Sequence, residues 1–152
     1  MTKKGKEFSF ETLQKIHLAV VFTRFLYIAL ILLVAKYIYL FSQFFVFSVD
    51  FTKANIFIFF YIFTVFIASK LYIKNWVKNY KPNKVAPINR YMGVLVIWWM
   101  VLELAPFCLF FIFLFGGDIK IVIAQIILCG VLTFFISPNK EEFKELLAKE
   151  EK

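Results

Sequence analysis

Glu103 is the only acid inside any long apolar run of this chain, in the stretch Trp98-Trp99-Met100-Val101-Leu102-Glu103-Leu104-Ala105-Pro106. A carboxylate at bilayer depth is disfavoured by about 2.5 to 3.5 kcal/mol, so it faces protein or water and has a partner or a task. One chemistry open to it is proton or cation handling. Pro106, three residues on, lacks an N–H and frees the carbonyl of Leu102 beside the acid, a feature of the broken helices at transport sites and also of ordinary helix kinks. The other is an ion pair that fastens helices together. Arg24 is the one cation within reach, about 10 Å into its own apolar run at a rise of about 1.5 Å per residue, and Gln125 is a third polar group on a neighbouring run.

Catalysis fits this inventory poorly, and no enzyme activity is expected. The single histidine, His17, reads as an interfacial residue with no acid at a useful spacing, and there is no G-x-S-x-G, H-E-x-x-H or phosphate-cradling glycine loop. Cys108 and Cys129 form no C-x-x-C pair and have no further Cys or His at ligand spacing, so neither a metal site nor a cofactor is expected. Both cysteines read as small apolar packing residues.

The elements that must position these groups follow from composition. Hydrophobic residues make up 62% of the 152, with 22 Phe, far above the roughly 45 to 50% of soluble domains. The runs predict an all-α, integral membrane four-helix bundle of two antiparallel helical hairpins in a single domain. Its spans cover about 17–41, 54–73, 91–115 and 119–136, with an amphipathic tail over 139–152. Ser9 is placed to cap a lead-in helix in which Phe10, Leu13, Ile16 and His17 share a face. The Phe-rich connection with Phe44, Phe45, Phe47 and Phe51 reads as an interfacial belt. The second span is apolar on all sides, which predicts broad lipid contact. Gly116-Gly117-Asp118 predicts a tight turn that makes the third and fourth spans neighbours. Gln125, Cys129 and Thr133 recur every four residues, a mildly polar stripe of the kind that faces other helices. Asn139 with Glu142 fits a capping box ahead of a solvated tail helix.

Basic residues set the orientation. Fourteen fall on one side (the N-terminal segment, Lys70 to Arg90, and the C-terminal tail) and three on the other (Lys36, Lys53, Lys120); with Arg24 they make up the 18 of the chain. Both termini are therefore expected in the cytoplasm. Lys70, Lys74, Lys78 and Arg90 read as lipid-headgroup contacts on that side. The expected partners are the lipid bilayer and further copies of the chain or a larger membrane complex; no basic face with interleaved polar readers points to nucleic acid. From the cytoplasmic side Arg24 and Glu103 differ in depth by roughly 7 Å, a gap an arginine side chain spans if the first and third helices are adjacent.

Leu102-Glu103-Leu104-Ala105-Pro106, the Phe-rich run to Gly116-Gly117-Asp118, and Ser137-Pro138-Asn139-Lys140-Glu141 together resemble a group of small uncharacterised bacterial four-span membrane proteins. The resemblance covers mainly residues 89–147, and Leu104-Ala105 departs from it where a glycine is expected directly before the proline. It implies a bacterial inner membrane and no activity. Small multidrug exporters are similar in span count, but their essential acid lies in the first span, where this chain has Arg24. Membrane dithiol oxidases need cysteine pairs that are absent here. The expected function is a non-catalytic structural, assembly or accessory component; the alternative is a small oligomeric transporter or channel that uses Glu103.

Overall fold

The structure is a computed structural model that describes residues 9–41, 51–82 and 86–150. Its elements are α1 (Phe10–Phe41), α2 (Thr52–Lys78), α3 (Pro87–Leu114), α4 (Ile119–Phe135) and α5 (Lys140–Glu150), and no strand occurs among the described residues. Four helical stretches are long and apolar enough to cross a membrane. The Phe44 to Phe47 belt, the N-terminal lysines before Ser9, the linker residues 83–85 and the last two residues of the tail lie outside the described part.

α1, α2 and α3 run longer than the apolar runs because their ends are set by capping chemistry. Ser9 accepts from the Thr12 amide through Oγ (3.1 Å) and from the Leu13 amide through its carbonyl (3.2 Å). Nothing between Phe10 and His17 breaks the helix, so the lead-in and the first span are one element, seven residues longer than expected. α2 continues past Ile73 through Trp76 to Lys78 and stops at Asn79, whose amide donates to the Asn75 carbonyl at 3.0 Å. α3 starts at Pro87, whose missing N–H costs nothing in a first turn. Its end is the two-glycine turn: Gly116 adopts φ +100°, open to glycine without a Cβ clash, and Gly117 donates to the Ile112 carbonyl at 2.8 Å. Asp118 then caps α4 by accepting from the Lys120 amide at 2.8 Å.

α3 and α4 form the central pair, each packed against both α1 and α2. α3 buries Leu95, Trp99, Leu102, Ala105 and Leu109, and α4 buries Val122, Ile126, Cys129 and Thr133, steps of three or four residues that make one stripe per helix. α2 is not uniform on all sides: Asn55, Ile58, Ile62, Val65, Ser69, Ile73 and Val77 form a buried stripe, while Phe57, Phe60, Ile67 and Leu71 point outward. α1 is the most peripheral span. Its fully shielded side chains are Leu13, His17, Arg24 and Ile31, the last three at every seventh position.

The tail helix differs from the solvated one expected. Leu146 of α5 is wholly buried, and Phe143 stacks on Phe10 (ring centroids 5.6 Å apart) and on Tyr91 (6.5 Å). Lys149 Nζ donates to the carbonyls of Val77 (2.7 Å) and Lys78 (2.9 Å), so a cation closes the exposed C-terminus of α2. Tyr91 OH donates to Glu142 at 2.6 Å and accepts from the Asn139 amide at 3.1 Å. The apolar edge of α5 therefore docks on the ends of α1, α2 and α3. Combining Leu146→Ala with Lys149→Ala is expected to undock α5 while leaving the spans folded; limited trypsinolysis after Lys144 should then accelerate by at least about tenfold, the equivalent of roughly 1.4 kcal/mol of lost docking.

Candidate functional site

Arg24 is 1% exposed, and its guanidinium pairs through Nη1 with the Glu103 carboxylate. Nη2 reaches Thr133 Oγ1 at 3.5 Å, and the Cys129 sulfur lies beside the same group. Three helices thus meet at one side chain: α1 supplies it, α3 the counter-charge, and α4 the two neutral partners. Gly130 makes room for this approach, because a Cβ there would stand 3.5 Å from Cβ and Cγ of Arg24. Thr23, next in sequence, accepts from Nη1 at 3.4 Å and donates to the Val20 carbonyl at 2.6 Å.

Two turns toward the start of α1, His17 joins the same face. It is 3% exposed, and its Nε2 donates to the Thr133 carbonyl at 3.0 Å, with its ring tilted over Trp99 at 5.2 Å. Trp99 donates through Nε1 to the Ile136 carbonyl at 3.1 Å. The last carbonyls of a helix lack their usual donor within it; here His17 joins the Ile136 amide at the Thr133 carbonyl, and Trp99 closes the carbonyl of the cap residue Ile136. His17 is thus shielded by protein, two turns inside α1 and level with the end of α4.

Gln125 does not join Arg24 and Glu103. Its Nε2 donates to the Asn55 carbonyl of α2 at 3.1 Å. The four-residue stripe on α4 faces its neighbours throughout, but Gln125 is one and two turns from Cys129 and Thr133 and meets a different helix there. The residues missed by sequence reasoning are those two and Thr23. The stripe placed Cys129 and Thr133 on the correct face, and nothing in a lone cysteine announced a hydrogen-bonding role.

Pro106 lies inside one continuous helix. The Leu102 carbonyl, deprived of its usual donor, receives the Cys129 thiol at a sulfur–oxygen distance of 3.6 Å. The neighbouring Val101 carbonyl accepts from Tyr61 OH of α2 at 2.6 Å. Cys108 is exposed, and neither cysteine is in a disulfide. Lys70, Lys74 and Lys78 are exposed along one edge of α2. Arg90 turns onto the chain itself, its guanidinium 5.2 Å over the Tyr80 ring and donating to the Lys81 carbonyl at 3.3 Å.

The ion pair stands between two grooves. On one side Glu103, 31% exposed, lines a space of about 380 Å³ between α1 and α3 with Val20, Thr23, Val96, Trp99 and Met100. On the other, the Arg24 stem borders an apolar groove of about 240 Å³ between α1 and α4 with Ile28, Gly130 and Phe134. Among the described residues no three of His, Cys, Asp or Glu come together in a way that holds a metal ion. The arrangement is suited to holding charge in place, with the Glu103 carboxylate open to the groove. No protein-family model, curated protein or solved structure matches the chain.

Breaking the pair from one side leaves an uncompensated charge, so Arg24→Met or Glu103→Leu alone is expected to cost about 3 kcal/mol. The double change Arg24→Met with Glu103→Leu should recover most of it, read as thermal unfolding in detergent. Cys129→Ala, which strands the Leu102 carbonyl, should lower stability by about 1 kcal/mol in the same assay, and Cys129→Ser should recover part of the loss because a hydroxyl also donates.

Proposed function

We propose that the chain is a multi-pass bacterial inner-membrane protein, two antiparallel hairpins with both termini cytoplasmic, acting as a non-catalytic structural, assembly or accessory component. Membership of the small bacterial four-span group is part of this reading, as is assembly with further copies or a larger membrane complex. The supporting observation is that the Arg24 guanidinium is enclosed and engaged with α1, α3 and α4 together. A charge with that many internal contacts fixes helix positions, and a transport site needs a charge that changes partners.

A second reading, a small transporter or channel, is favoured by one feature: the Glu103 carboxylate opens on the α1–α3 groove. Reconstitution separates the two. Vesicles containing the protein, loaded with a pH-sensitive dye and given a proton gradient, are expected to discharge no faster than protein-free vesicles. The Arg24→Met/Glu103→Leu protein should still recover the co-purifying membrane partners of the unaltered chain. A flux abolished by Glu103→Gln would replace the structural reading with the transport one. Reporter fusions at both ends test the orientation, with the cytoplasmic signal expected from each.

A further inference from the structure

Where α2, α3 and the α4–α5 connection meet, a cavity of about 230 Å³ is built differently from the apolar grooves beside the ion pair. Its floor is apolar and tightly shielded: Ile73, Leu95 and Ile136. Its rim is polar, with Lys70 from α2, Lys140 from α5, and Ser137 and Asn139 between them. Glu142 also borders it, but one of its oxygens already accepts from Tyr91 OH at 2.6 Å. The amides of Asn139 and Glu141 are likewise engaged, with Tyr91 OH and Asn139 Oδ1. Neither lysine has an ion pair among the described residues. Two ammonium groups against one carboxylate leave one positive charge in excess on the rim.

We propose that this cavity binds a phosphodiester monoanion, that of an anionic phospholipid headgroup. One negative charge matches the excess on the rim, and lysine ammonium groups hold phosphate oxygens as point charges with three donors each. Ile73, Leu95 and Ile136 are almost wholly covered, so the polar rim carries the recognition. Lys74 and Lys78 continue the same helix edge, and Trp76 lies between them, which is the composition of a headgroup layer. The cavity is thus a specific seat within a surface that attracts anionic lipid generally. The assignment rests on the membrane-spanning reading and is independent of whether the protein is structural or a transporter.

Native mass spectrometry of the full chain in non-ionic detergent tests it, with phosphatidylglycerol as the probe. Phosphatidylcholine serves as the zwitterionic control and glycerophosphoglycerol as the soluble phosphodiester. The expected result is a single saturable phosphatidylglycerol per chain, weakened at least about fivefold by Lys70→Gln with Lys140→Gln and less than about twofold by Lys74→Gln with Lys78→Gln. Unchanged thermal unfolding of both double variants establishes that the fold is retained. Equal losses from the two pairs, or none from Lys70 and Lys140, would overturn the site. Tight binding of glycerophosphoglycerol with the same lysine dependence would keep the phosphodiester chemistry and overturn the lipid as its source. Proton-flux measurements do not depend on these lysines, so failure here and failure of the functional reading are told apart.

Discussion

The buried guanidinium of Arg24 is the constraint on which the placement of α1 depends. Lipid tails are as apolar as leucine, so two spans gain nothing from hydrophobicity alone by packing together and are joined by close packing and polar contacts. α1 shields few side chains, and two of them, His17 and Arg24, are polar. They lie seven residues apart and both turn to Thr133, one through its carbonyl and one through its hydroxyl. The helix is therefore fixed at two levels against the same short segment of α4, with Glu103 of α3 completing the upper one. Neither charge of the pair is replaceable alone, since each makes the other tolerable in a medium that solvates neither.

Fixing α1 in this way requires α3 and α4 to be set first, and their contact carries its own polar accounting. Pro106 removes one backbone donor from the middle of α3, and the carbonyl it strands is covered by a thiol from α4. The same cysteine lies beside Arg24, so the break in the α3 ladder and the ion pair share a neighbour. Gly116 and Gly117 hold the two helices in register through the turn, and Gly117 has no space for a side chain, because a Cβ there would fall 2.5 Å from Ile112 Cγ2. Glycine at that end and proline in the middle together settle which residues of α4 face the acid.

Much of this was legible in the sequence, because the physics of a bilayer is simple. Long apolar runs gave the four spans, and depth along a helix was enough to pair Arg24 with Glu103 as a hypothesis. Rotation and neighbour identity were less accessible. Gln125 shares a stripe with Cys129 and Thr133, yet two helical turns along a tilted pair carry it from α1 to α2, and periodicity on one helix holds no information about which helix stands opposite. The burial of His17 was hidden for a simpler reason: apolarity marks where a span enters lipid, whereas the helix itself begins at its cap, Ser9. Docking of α5 was hidden because Phe143, Leu146 and Leu147 fit a surface-lying amphipathic helix as well as a docked one. The choice was made by Tyr91 and Lys149, through contacts more than 48 positions apart in sequence.

The ion pair is asymmetric, and that asymmetry bears on both functional readings. Arg24 has no route to the outside, whereas Glu103 borders the α1–α3 groove with 31% of its side chain exposed. The guanidinium has Glu103, Thr133 and Thr23 around its two terminal nitrogens, while its buried Nε has no hydrogen-bond partner among the described residues. The carboxylate needs fewer partners and tolerates an open side. If the groove filled with lipid, the exposed oxygen would face hydrocarbon, and the pairing with Arg24 would be its chief compensation. If water or a neighbouring helix filled it, the same oxygen would gain a partner of its own and the bond to Arg24 would weaken accordingly. The strength of the fastener and the occupancy of the groove are therefore linked, and the contents of that groove decide whether Glu103 stays a fixed charge.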